Sequence, residues 1–292
     1  MSRYHASVAI PAFNEARRLP VFLGEVARLG LESPGRPVEF VVVDDGSAPD
    51  QLETHRVAVD AAAVLLARDG SRHSVRLVET GANRGKGAAV QRGWREADAG
   101  ASWLGFLDAD GAVPAREFWR LLGLLGEGSA DADVLAGSRV LMAGRSIRRS
   151  TYRHLQGRVF ATLVESRFGL GCYDTQCGVK FVRAAWLRPR LELLSEHGWL
   201  LDVELLAMAH AAGARLREEP IDWSDPGGSK VRFGVDAVRM FLGLRRIQAR
   251  LDAAGLDRVA SLENAREASR VRSSESGHEP ARLGGTAKPP LR

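Results

Sequence analysis

The sequence predicts an α/β protein whose mostly parallel central sheet is flanked by helices. Two observations carry this. Strand-type apolar runs at 6–10, 38–43, 75–79 and 104–107 alternate with segments of helical spacing. Such alternation marks crossover units and a parallel sheet covered on both faces. Three of the runs also end on acidic, polar or turn-forming sequence, and open α/β sheets bind ligands outside the carboxyl ends of their strands.

The elements follow in order. Ala6 to Ile10 is a strand stopped by Pro11. Asn14-Glu15-Ala16-Arg17-Arg18-Leu19 opens a helix, with Leu19, Phe22, Leu23, Val26 and Leu29 at helical spacing. Val38 to Val43 is a second strand, ending on Asp44-Asp45-Gly46-Ser47, and residues 50–68 are helical. Val75 to Glu79 precedes the glycine-rich loop Gly81-Ala82-Asn83-Arg84-Gly85-Lys86-Gly87 and a helix from Ala88 to Ala97. The fourth strand runs into Asp108-Ala109-Asp110-Gly111. A helix near 117–125, a strand over 133–137 and a helix over 152–168 come next. A helix over 200–209, a strand over 215–220 and a basic amphipathic helix over 233–252 complete the pattern. From 253 to 292 periodicity fades, and the Ser-, Gly-, Pro- and charge-rich end is expected to be a disordered tail.

The chain has 292 residues, 45% hydrophobic and 26% charged, the composition of a globular protein with a sizeable core. Its 41 basic and 36 acidic residues leave a net charge of +5, which suits a polyanionic partner such as a nucleotide or lipid phosphate. Two cysteines, Cys172 and Cys177, argue against a disulfide framework, so reduced cytoplasmic thiols are expected. They form no tetrahedral metal set without further ligands. The start leads directly into a strand and offers no signal-peptide core. No apolar run approaches the ~18–20 residues of a membrane span. The expectation is a cytoplasmic protein, at most peripheral at the inner face of a membrane.

Asp108 and Asp110, spaced i, i+2 at a strand end, can both swing toward one point where the strand breaks into a turn. Gly111 eases that turn. Two hard carboxylates suit Mg²⁺ or Mn²⁺, which bind through one or two carboxylates plus substrate phosphates. The same residues also suit an ordinary turn. Asp44, Asp45 and Ser47 offer acceptors for the N–H of a base or the hydroxyls of a ribose, or simply an Asx turn. Arg84 and Lys86 sit in a glycine loop before a helix, whose first N–H groups and dipole favour an anion. Neither a GxxxxGK[ST] loop nor a GxGxxG fingerprint is present.

Taken together, Pro11-Ala12-Phe13-Asn14-Glu15, Val43-Asp44-Asp45-Gly46-Ser47, Asn83-Arg84-Gly85-Lys86-Gly87 and Asp108-Ala109-Asp110 resemble, in content and order, the family 2 glycosyltransferases of GT-A fold. Asp174-Thr175-Gln176-Cys177-Gly178-Val179-Lys180-Phe181, Trp199-Leu200-Leu201-Asp202-Val203-Glu204 and Gly228-Ser229-Lys230 look like the branch containing dolichyl-phosphate β-glucosyltransferases. The resemblance spans roughly residues 6–250. It implies one GT-A domain over 1–252, with a nucleotide-binding half (6–111), an acceptor half (112–232) and the basic helix. It further implies inverting transfer of a hexose, glucose from UDP-glucose, to a polyprenyl phosphate. Pro11, Ala12, Asn14, Glu15 and Asp44 would line the uracil and ribose pocket, with Asp45, Ser47, Arg84 and Lys86 close by. Asp108 and Asp110 would hold a divalent metal bridging the diphosphate, with Asp108 and Ala109 also part of the nucleotide-sugar site.

The acceptor decides whether a base is needed. A lipid phosphate is already anionic; a sugar or metabolite hydroxyl needs a base, usually a carboxylate. Asp202 and Glu204 face different directions on a helix, and Asp202 is the candidate. Its alternative role is to complement the helix dipole. Arg139, Arg148, Arg149 and Arg153 are candidates for an acceptor phosphate, because guanidinium binds phosphate bidentately. Gln176, Ser229 and Lys230 join them on the acceptor side. The arginines lack interleaved aromatics, so no nucleic-acid partner is expected. The last helix offers Val235, Val238, Met240, Phe241, Leu244, Ile247 and Leu251, with Arg239, Arg245, Arg246 and Arg250 around them. It either packs on the core or docks on anionic lipid.

Overall fold

The computed structural model describes residues 3–33, 35–68, 71–126, 132–148, 151–225 and 235–256, without the side chains of 151–156 and 235–239. Its elements are β1 (Ala6–Ala12), α1 (Leu19–Leu31), β2 (Val38–Asp44), α2 (Pro49–Leu66), β3 (Ser74–Glu79), α3 (Lys86–Glu96), β4 (Trp103–Leu107) and α4 (Ala115–Leu124). Then come β5 (Val134–Ser138), β6 (Ile147–Arg148), α5 (Thr151–Phe168), β7 (Val179–Arg183), α6 (Ala184–Leu187), a 3₁₀ turn (Arg188–Leu193), α7 (Leu201–Ala211), β8 (Leu216–Pro220), β9 (Trp223–Ser224) and α8 (Val235–Ala253).

Among the described residues one sheet has the order β3-β2-β1-β4-β7-β5-β8. β7 alone runs against its neighbours β4 and β5; the other pairings are parallel. β6 and β9 form a separate parallel pair. The central strands are apolar almost throughout because both faces are covered. Val8, Ile10, Phe40 and Val42 pack with Phe22, Leu23, Val26, Phe118 and Leu121 on one side. Leu104, Phe106 and Val182 pack with Trp94, Leu205, Leu206, Leu244 and Ile247 on the other.

Three local expectations change. The segment from Asn14 does not begin a helix: Asn14 takes φ +52, and α1 starts at Leu19. β7 lies inside the stretch read only as a motif, its apolar run interrupted by Lys180, a fully buried residue. The apolar face of α8 is split. Leu244, Ile247 and Leu251 are buried, whereas Phe241 is 51% exposed beside Leu242. Gly243 allows this docking, since a Cβ there would strike Leu200. No helix among the described residues is long and apolar enough to cross a membrane. Arg149, Ser229, Lys230 and the tail from 257 onward lie outside the described residues, as does the side chain of Arg153.

Candidate active site

The strand order reverses between β1 and β4, whose neighbours β2 and β7 lead away in opposite directions. Such a switch point opens a crevice at the carboxyl edge. Four chain segments meet there: those after β1, β2 and β4, and the start of α3.

The first two are stitched together. Asn14 N–H donates to Ser47 Oγ at 2.9 Å, and Ala48 N–H returns a bond to Asn14 Oδ1 at 2.9 Å. Asp44 Oδ1 accepts Ser47 N–H at 2.9 Å, a side-chain-to-backbone bond that closes the bend after β2 three residues on rather than the two of an Asx turn. Asp44 Oδ2 lies 2.7 Å from Nδ1 of His55, a wholly buried α2 residue. Glu15 N–H donates to Nε2 of the same ring at 3.2 Å, which fixes the proton on Nδ1. Nothing in the sequence spacing pointed to His55. Pro11 and Ala12 end β1, and the Glu15 carboxylate holds Arg18 through two bonds of 2.6 and 2.5 Å.

The glycine-rich loop differs from expectation. Two of its amides are already taken, because Asp45 accepts Arg84 N–H at 2.9 Å and Gly85 N–H at 2.7 Å. Burial raises the Asp45 pKa, against the pull of these two amides. Ala88 N–H donates to His197 O at 3.0 Å. A Cβ on Gly87 would come within 2.5 Å of Glu196 O and 2.8 Å of Gly198 O. The start of α3 is thus docked on backbone carbonyls, and a protein carboxylate already fills the loop. Arg84 remains exposed, and Lys86 points to the strand ends.

Lys86 Nζ lies 2.7 Å from Asp108 Oδ1 and 3.8 Å from Asp202 Oδ2. Burial alone would lower its pKa, but Asp108 and Asp202 outweigh that and raise it. Burial also raises Asp108, opposed by Lys86 and reinforced by Asp110. Asp202 Oδ1 accepts from Lys180 Nζ at 2.6 Å, and Lys180 also donates to Cys177 O at 2.9 Å. Phe106 is the floor under both cations, its ring centre 5.1 Å from Lys86 Nζ and 5.3 Å from Lys180 Nζ. Carboxylates and ammonium groups therefore alternate along one line. Asp202 and Glu204 do face apart: Glu204 Oε2 accepts Ser195 N–H at 2.9 Å and Glu196 N–H at 2.7 Å.

The residues at the end of β4 fit a hard divalent cation. Asp108 Oδ1 is buried without a directed hydrogen bond, the Lys86 ammonium being its charged neighbour. Ala109 is buried between the two carboxylates, and Asp110 Oδ1 accepts Ala112 N–H at 3.0 Å. Among the described residues no three His, Cys, Asp or Glu side chains converge as a complete ligand set. Mg²⁺ or Mn²⁺ here would complete its shell from substrate oxygens and water, its usual habit. Gly178 explains part of the Asp-Thr-Gln-Cys-Gly block: a Cβ there would collide with the Asp108 carboxylate.

The acceptor-side residues divide. Arg139 is held in a fork by Asp174, with Nε to Oδ2 at 2.6 Å and Nη2 to Oδ1 at 2.8 Å. Despite its burial, Asp174 is held down at about 2 by the Arg139 guanidinium. Arg148 is exposed on β6. Gln176 Nε2 donates to Trp199 O at 3.4 Å. Cys172 and Cys177 are free thiols, and burial pushes Cys177 up to about 12.

A mostly parallel sheet with a carboxylate cluster at its switch point has the crevice at which open α/β folds bind ligands. The chain belongs to glycosyl transferase family 2, whose model matches residues 7–188, and it is a glycosyltransferase. The Saccharomyces cerevisiae dolichyl-phosphate beta-glucosyltransferase is 32% identical, over 80% of this chain and 71% of the relative. The Homo sapiens protein of the same description is 34% identical, over 77% and 69%. Glucosyl-3-phosphoglycerate synthase from Mycobacterium tuberculosis shares the fold with a TM-score of 0.55 at 17% identity, over 85% of this chain and 78% of that one.

Proposed function

We propose that this enzyme transfers glucose from UDP-glucose, with inversion, to a polyprenyl phosphate of dolichyl type. The relatives' activity supports the lipid-phosphate acceptor. The observation that carries the reading is the setting of Asp202. A hydroxyl acceptor needs a general base within hydrogen-bond reach. Asp202 instead has Oδ1 bound to Lys180 and Oδ2 turned toward Lys86. That arrangement suits a nucleophile that arrives already ionised.

In this reading Asn14, Glu15, Asp44 and Ser47 shape the nucleoside end, with Pro11, Ala12, Asp45 and Arg84 around them. Mg²⁺ or Mn²⁺ held by Asp108 and Asp110 would neutralise charge on the departing diphosphate. Lys86 donates toward the same oxygens, and Lys180 fixes Asp202. Arg148 and Gln176 are proposed to meet the acceptor phosphate, a role the sequence also suggests for Arg149, Arg153, Ser229 and Lys230. Arg139, forked to Asp174, shapes that side. The lipid implies work at a membrane face, where α8 offers Phe241, Leu242 and Arg245.

The test is a radiolabelled UDP-glucose assay with Mg²⁺ or Mn²⁺, run with and without a short-chain polyprenyl phosphate. Label entering the organic phase only with lipid supports the proposal. Label accumulating in water as a new glycoside replaces the lipid phosphate by a soluble hydroxyl acceptor.

A further inference from the structure

Trp199 is the exposed member of the six tryptophans, with 50% of its surface open. Indole burial is strongly favourable, so an open one beside charged groups calls for an occupant. The segment that carries it is held firmly. Glu204 accepts from the amides of Ser195 and Glu196, His197 O accepts Ala88 N–H, and Trp199 O accepts from Gln176. The carboxylate of Glu196 is held from α8 by Arg246 and Arg250. Lys86 Nζ stands 5.3 Å from the Trp199 ring centre while contacting Asp108. One ammonium thus links the indole to the carboxylate at the end of β4.

Order along the sheet edge decides what belongs there. Asn14, Asp44 and Ser47 border the β2–β1 side, Asp108 and Asp110 follow β4, Asp202 is tied to Lys180 of β7, and Trp199 stands beside Lys86 and Gln176. A nucleoside diphosphate sugar laid base-first along this edge puts its diphosphate at β4 and its hexose beyond. A hexose has a rim of hydroxyls and an apolar C–H face. Carboxylates, ammonium groups and an indole match both features at once. A prenyl chain would match only the indole and leave the charges desolvated.

We propose that the open face of Trp199 is the platform on which the donor's hexosyl ring lies, making it a specificity-determining residue. The inference rests on the nucleotide-sugar reading above. Its test compares wild type, Trp199→Ala and Trp199→Phe by calorimetric titration with UDP and by turnover of UDP-glucose. An aromatic contact of about 0.5–1.5 kcal/mol corresponds to a drop in kcat/KM of up to about tenfold. The expected result is that drop in Trp199→Ala, unchanged UDP affinity, and recovery of most turnover in Trp199→Phe. Unchanged kcat/KM in Trp199→Ala overturns the platform. An equal loss of UDP affinity also overturns it, since the indole would then serve the nucleotide or the fold. Wild type that binds neither UDP nor UDP-glucose defeats the donor reading itself, a failure visible before any variant is made.

Discussion

Lys180 Nζ donates to Asp202 Oδ1 at 2.6 Å, and the lysine is wholly buried while Asp202 is 3% exposed. A charge pair removed from water is tolerated only when both members are present and hydrogen-bonded. Replacing Lys180 by Met removes the hydrogen-bonded partner of this buried carboxylate and leaves it only the Lys86 ammonium at 3.8 Å. The expected cost is about 3–5 kcal/mol in urea unfolding. Adding Asp202→Leu should return much of that stability without restoring turnover. If the single variant unfolds like wild type, the pair does not hold this region together.

Gly178 lies where a Cβ would meet the Asp108 carboxylate. Gly178→Ala must therefore shift Asp108 or β7, and overpacking of this kind costs about 1–3 kcal/mol. The expected signature is a larger fall in kcat than in stability, because the displaced group is Asp108. A variant with full turnover would show that the carboxylate position is not critical.

Most of the sheet was legible because a strand buried on both faces is apolar along most of its length, as Trp103–Leu107 is. β7 was not, because its core run is broken by a lysine that only tertiary pairing with Asp202 makes acceptable. The carboxylates at the ends of β2 and β4 were visible as motifs, but their partners were not. His55 sits mid-helix in α2, 11 residues from Asp44 in sequence, and only the fold brings the two within 2.7 Å. The glycine loop misled for a related reason. Its spacing marks a cradle for negative charge, and Asp45, 39 and 40 residues away, fills it.

The Arg139–Asp174 fork sets an acid limit. The Asp174 pKa in the fold, about 2, is below its ordinary 3.8. Its stabilisation is therefore complete above the ordinary value and lost as pH falls toward 2. Lys86 behaves oppositely: its raised pKa stabilises the fold at ordinary pH and is lost only in strong alkali. Asp174→Asn should flatten the loss of stability between pH 4 and 2, by on the order of 2 kcal/mol. Thermal melts across that range decide it, and an unchanged slope would assign the acid limit to other groups.

Asp110 is half-buried, with Oδ1 turned to Ala112 N–H at 3.0 Å. Asp110→Ala should keep the fold, within about 1 kcal/mol by thermal melt, while losing metal-dependent turnover by at least about 10²-fold. Mn²⁺ titration followed by electron paramagnetic resonance supplies an independent readout. Wild-type Mn²⁺ binding by the variant would remove Asp110 from the metal set.

Phe241 and Leu242 are 51% and 49% exposed on α8, next to the exposed Arg245, while Leu244, Ile247 and Leu251 bind the same helix to the core. The helix thus keeps one apolar edge for packing and turns another outward with positive charge, the pattern of an interfacial helix. Burying two such side chains in a lipid surface is worth a few kcal/mol. Phe241→Glu with Leu242→Glu should weaken sedimentation with anionic vesicles by about tenfold or more. It should also raise the KM for vesicle-borne polyprenyl phosphate and leave that for a short, water-soluble analogue unchanged. The soluble analogue separates docking from chemistry, because it reaches the site without the membrane. Equal vesicle binding by wild type and variant would sink the docking role of α8. A matching rise in KM for both acceptors would instead place these residues in the acceptor path itself.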